Sequence, residues 1–204
     1  MGANNKQHGV SRRKALRTLA TSAGAAASAL WVGNLTTLAQ TQAMDIHLAA
    51  SASLQTGGAF RPAVLTAAQF ETVGVLVELI IPATDTPGAK ALLVDRFVDG
   101  VLETATPADR DRFVAGLGWL DTRSSRLSNK TFAQATAAQQ TDLLTRLSAE
   151  PSSEEASGVQ FFTAIKAMTI TGYYTTEVGL RQELGDDGRL MLAAFEGCTH
   201  AEHQ

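Results

Sequence analysis

From Pro62 onward, apolar residues recur at intervals of three and four, and no segment alternates apolar and polar positions over the length of a strand. The pattern predicts an all-α fold, a single small domain of about five to six helices. Thr66-Ala67-Ala68-Gln69 has the form of a capping box, and behind it Phe70, Val73, Val77 and Ile80 mark one helical face up to the stop at Pro82. Asp85-Thr86-Pro87-Gly88 is a turn. A second helix is expected from about Ala89 to Glu103, with Val94, Phe97, Val98 and Val101 as its stripe and Asp95, Asp99 and Glu103 off it. Thr106-Pro107 supplies an N-cap and a first-turn proline for a third. Asp109 and Asp111 suit the positive end of its dipole, and Phe113, Leu117 and Leu120 face inward. Thr136-Ala137-Ala138-Gln139 opens a fourth, short helix with Leu143, Leu144 and Leu147. Ser152 to Glu155 opens the longest, with Phe161, Ile165 and Met168 on one face as far as Gly172. After Tyr173-Tyr174 the helical pattern resumes through Glu177 and Leu180 to Leu184, and Gly185-Asp186-Asp187-Gly188 stops it.

The chain before Pro62 reads differently. A basic start containing Ser11-Arg12-Arg13-Lys14 is followed by a run, Thr18 to Met44, without a single Asp, Glu, Lys or Arg. Ala, Ser, Thr and Gly dominate it, and Asn34 lies near its end, so it is less apolar than a membrane-spanning helix requires. A paired arginine ahead of a weakly apolar region resembles a twin-arginine (Tat) signal peptide, with Ala15 where phenylalanine is usual. Residues 1–43 are therefore expected to be an export signal recognised by the Tat translocase through Arg12 and Arg13, with small residues for cleavage after Ala39 or Ala43. Residues 44–65, rich in Ala, Ser, Gly and Gln, read as a flexible linker, and the helical domain as 66–204.

Charge and composition narrow the function mainly by exclusion. A net charge of -3 among 204 residues gives no electrostatic case for nucleic acid. The single cysteine, Cys198, excludes an internal disulfide and a two-cysteine haem attachment. With His200 and His203 it forms the densest ligand cluster, which could serve a stand-alone periplasmic metal-binding protein or enzyme, although no fourth ligand stands nearby. Cys198 is open to three uses: a packed thiol, a metal ligand, or a disulfide to another chain. Tyr173-Tyr174 reads as core or interface, and Asp85, Asp186 and Asp187 as turn residues. No Gly-x-Gly-x-x-Gly, Walker or His-Glu-x-x-His motif occurs. No residue qualifies as catalytic, cofactor-binding or metal-ligating with a complete set of partners.

Three segments together resemble the gluconate 2-dehydrogenase subunit 3 family. They are Leu79-Ile80-Ile81-Pro82-Ala83-Thr84-Asp85-Thr86-Pro87-Gly88-Ala89, Thr171-Gly172-Tyr173-Tyr174-Thr175-Thr176-Glu177-Val178-Gly179, and Gly185 to Gly188 followed by Phe195-Glu196-Gly197-Cys198-Thr199-His200. The resemblance implies a helical accessory subunit with no active-site residue. Such a subunit carries the Tat signal for a large FAD-binding dehydrogenase subunit of the glucose-methanol-choline type and stays attached to it in the periplasm. It further implies that FAD sits in the partner, that a cytochrome c subunit is a further candidate partner, and that any membrane association comes through the complex. Tyr173, Tyr174, Phe195 and Cys198 are the expected contacts with the large subunit.

Overall fold

The computed structural model describes residues 29–55, 60–148 and 155–186. Among them all regular structure is helical: α1 (Ala29–Thr41), α2 (Ala43–Gln55), α3 (Ala67–Ile80), α4 (Val94–Thr104), α5 (Pro107–Ser128), α6 (Ala137–Ser148), α7 (Ala156–Tyr174) and a π-helical turn (Val178–Glu183). Helix α7 is the axis of the bundle. It packs against α1, α3, α4, α5 and α6, while α4 is covered by α1, α2, α3 and α7.

The caps set the helix starts where local chemistry predicts them. Thr66 and Gln69 close a reciprocal box, the Gln69 N–H donating to Thr66 Oγ1 at 3.3 Å and the Thr66 N–H to Gln69 Oε1 at 2.9 Å. Thr136 and Gln139 repeat it ahead of α6. Thr106 caps α5 and Pro107 fills its first turn, while Asn129, in the left-handed conformation at φ 56°, ends it. Of the expected box at residues 152–155 only Glu155 is described; it sits at the N-cap of α7, and its carboxylate pairs with Arg123 at 2.9 Å. The predicted stripes are inside: Val73, Val77, Phe113, Leu117, Leu120, Leu143, Leu147, Phe161, Ile165 and Met168 are all buried.

Three expectations are corrected. First, α4 begins at Val94 and not at about Ala89, because Leu93 takes a left-handed conformation (φ 60°) that interrupts helical hydrogen bonding after the turn. Second, Asp95 and Asp99 are buried. Residues 63–65 fold over α4, and Asp99 accepts from the N–H groups of Ala63 (2.6 Å), Val64 (3.2 Å) and Leu65 (3.0 Å), which replace the water a surface carboxylate would have. Burial raises the Asp95 carboxyl above its ordinary range, opposed by the Arg96 N–H and by the charges of Arg96 and Lys90.

The third correction is the largest. The second half of the charge-free run and most of the expected linker form α1 and α2, which belong to the core. Trp31, Leu35, Ala39, Ala43, Ile46 and Ala50 are buried at successive spacings of four, four, four, three and four. The stripe runs through the break at Gln42, whose N–H donates to the Leu38 carbonyl while its own carbonyl accepts from Ile46, both at 3.0 Å. The two helices are thus one helical arm with a bend. Half of the stripe is alanine, at positions 39, 43 and 50, so it has fewer of the large apolar residues by which such periodicity is recognised.

Candidate partner-docking groove

Where α7 ends, the chain makes a tight second helical turn. Thr176 Oγ1 donates to the Tyr173 carbonyl at 2.7 Å and accepts from the Gly179 N–H at 3.1 Å, as an N-cap threonine does. A Cβ on Gly179 would lie 2.2 Å from the Tyr173 oxygen, so only glycine allows this approach. The following turn is wide, with the Leu184 N–H bonding the Gly179 carbonyl at 3.1 Å, and it ends at Gly185, whose φ is 69°. The helical stop expected at residues 185–188 is thus in place at its described half.

This turn forms one wall of an open groove of about 800 Å³. Val178, Leu180 and Arg181 line that wall, Met44, His47 and Leu48 of α2 line the other, and Leu92 and Leu93 lie between them. The left-handed Leu93 is one of two non-glycine residues with positive φ among those described, and strain of this kind tends to be kept where a site needs it. His47 ties the walls together. Its ring stacks on Phe97 with centroids 4.8 Å apart, and its Nε2 lies 2.9 Å from Thr175 Oγ1. Burial lowers the imidazole's affinity for a proton below the ordinary value, and a hydrogen bond to the Gly172 backbone partly opposes this.

A histidine beside a threonine hydroxyl has the outline of a base and a nucleophile. Here the hydroxyl donates to the Thr171 carbonyl at 2.7 Å, the usual bond of a helix-terminal threonine, so its proton points away from the imidazole. The groove is better suited to holding a partner than to chemistry. Its apolar surface is open: Met44 is 72% exposed, Leu48 62%, Leu180 36% and, just beyond, Leu184 60%. Glu177 and Arg181 form a surface ion pair at 3.6 Å on the polar side. Among the described residues no group of three or more His, Cys, Asp or Glu could hold a metal ion.

The expected contact residues divide. Tyr173 has no exposed surface; its hydroxyl donates to the Pro87 carbonyl at 3.1 Å and lies 3.3 Å from Thr86 Oγ1, and Thr86 in turn donates to Glu183. It pins the 82–88 turn to the end of α7, so in this conformation it is a structural residue and not a surface contact. Tyr174 is half-buried, edge-on to Tyr173 at 5.2 Å. Glu78 completes the turn by accepting from the N–H groups of Ala83 and Lys90, each at 3.1 Å. Arg12, Arg13, Phe195, Cys198, His200 and His203 lie outside the described residues. Met44, His47 and Leu48 were hidden from sequence reasoning, because they fall where a linker was expected. The periodicity of Ala43, Ile46 and Ala50 was the one signal that could have found them.

The family model described as gluconate 2-dehydrogenase subunit 3 matches residues 67–186, from the start of α3 to the last residue of the groove. No curated protein and no solved structure matches the chain.

Proposed function

The chain belongs to the gluconate 2-dehydrogenase subunit 3 family, and we propose that it acts in its complex as the non-catalytic small subunit, escorting and stabilising a large FAD-dependent dehydrogenase of the glucose-methanol-choline type. A subunit of a dehydrogenase complex has partner subunits, and the groove between α2 and the π-helical turn is where the large one docks. The observation that carries this reading is the exposed apolar rim of Met44, Leu48, Leu180 and Leu184 around a concave floor, in a chain whose family is named as a subunit. FAD and the sugar- or polyol-oxidising chemistry belong to the partner, and a cytochrome c subunit is the candidate third component. Arg12 and Arg13 address the assembled, already folded pair to the Tat translocase, which delivers it to the periplasm.

Co-expression with the large subunit tests both halves. Leu48→Asp with Leu180→Asp places two unpaired charges on the rim, and should weaken association at least about tenfold while circular dichroism keeps its helical signal. Arg12→Lys with Arg13→Lys should leave both chains in the cytoplasm. A flavoprotein that reaches the periplasm beside that variant refutes the escort role, and wild-type affinity in the rim variant refutes the groove.

A further inference from the structure

The two walls of the groove carry matching rows of large apolar side chains. Met44 and Leu48 stand four residues apart on α2, and Leu180 and Leu184 stand four apart across the π-helical turn, so each row is one turn long and open to solvent. Leu92 and Leu93 lie between the walls and are half-buried. Two ridges of i, i+4 residues with a depression between them form the surface against which a third helix packs, its own ridge of side chains entering the gap.

The hydrogen bonding of the groove favours the same occupant. An extended peptide that docks by strand addition needs a row of free N–H and C=O groups to pair with. Here they are taken: the N–H of Leu92 bonds the Gly88 carbonyl at 3.3 Å, that of Leu93 the Lys90 carbonyl at 3.1 Å and that of Leu180 the Thr176 carbonyl at 2.9 Å. The polar side chains where the walls meet also bond inward. The His47 ring reaches Thr175, Thr175 Oγ1 donates to the Thr171 carbonyl, and Thr176 Oγ1 donates to the Tyr173 carbonyl. Among the described lining residues none is Phe, Tyr or Trp, the side chains on which a polyproline segment docks. A segment laid on this surface must therefore satisfy its own backbone, as a helix does. We propose that the element of the large subunit that enters the groove is an amphipathic helix, seated between the Met44–Leu48 and Leu180–Leu184 rows by large apolar side chains at i, i+3 or i+4, and i+7. This rests on the docking reading above and adds to it the form and chemistry of the docked element.

Photocrosslinking in the complex tests it. Met44 or Leu184, the most exposed residue of each row, is replaced by p-benzoylphenylalanine in the full chain co-expressed with the large subunit, and the linked peptides are identified by mass spectrometry. Asp45, exposed beside Met44, serves as a second probe position should the Met44 variant fail to assemble. Both walls should crosslink to one segment of the large subunit. Alanine substitutions along that segment should weaken association about tenfold at apolar positions three, four and seven residues apart, and little at the positions between them. Sensitivity at alternate residues marks an extended segment, and crosslinks from the two walls to separate segments mark a composite surface. Either result overturns the helix and leaves the groove as the docking site. Crosslinks only to residues 187–204 of this chain or to a second copy of it, or none to the large subunit in a complex that still copurifies, sink the docking reading and the helix with it.

Discussion

Helix α4 and the α1–α2 arm cross each other, yet they reach the same degree of burial by opposite means. In α4 the contacts are filled by Val94, Phe97, Val98, Val101 and Leu102, none with exposed surface. In the arm the stripe is shared between Trp31, Leu35 and Ile46 and the small Ala39, Ala43 and Ala50. A large side chain spans the usual 8–10 Å between helix axes; an alanine can be buried only if the neighbouring helix comes close. One surface is therefore held together by volume and the other by approach, and each should be sensitive to the change the other tolerates.

The most severe break is Phe97→Ala. The ring fills the centre of α4 and carries His47 on its face, so its loss should cost about 3–5 kcal/mol in denaturant unfolding, through cavity formation and loss of the stacking contact. In the arm the damaging direction is reversed. Ala39→Leu inserts volume at a position with no exposed surface, and should cost about 1–3 kcal/mol through overpacking, although by hydrophobicity alone it would be expected to stabilise. A neutral or stabilising result would mean that the arm packs by volume after all.

The smallest effect sharpens the comparison at the point where the two regions touch. The folded His47 takes up a proton less readily than the ordinary imidazole at 6.5, so at acid pH the unfolded chain binds the extra proton. Its contribution to stability is complete above that value and is lost as the pH falls through it toward the lowered folded value. His47→Gln should flatten the stability profile between about pH 7.5 and 5 relative to the parent. An equal slope in both proteins would place the titration elsewhere.

The same contrast explains what could be read from the sequence. The stripe of α4 and the capping boxes of α3 and α6 are written in residue types whose local preference matches their final role. Tyr173-Tyr174 was legible as core or interface, but only the fold could show that the Tyr173 hydroxyl reaches back to the Pro87 carbonyl. That bond joins two of the segments that carried the family resemblance. The groove was not legible, since it combines a turn after α7 with a helix whose alanines and serines have the composition of a linker. Composition measures how apolar a segment is; burial of small residues depends on what comes close to them.

Asp99 has one further consequence, for the order in which parts of the chain open. The amides of Ala63, Val64 and Leu65 belong to no helix, but their hydrogen-bond acceptor is a side chain on α4, which four other helices cover. They are released to deuterium only when the segment lifts away from α4 or when α4 itself unravels. In exchange they report on the interior and not on the surface loop that holds them, and the lead-in to α3 belongs to the same cooperative unit as the centre of the molecule.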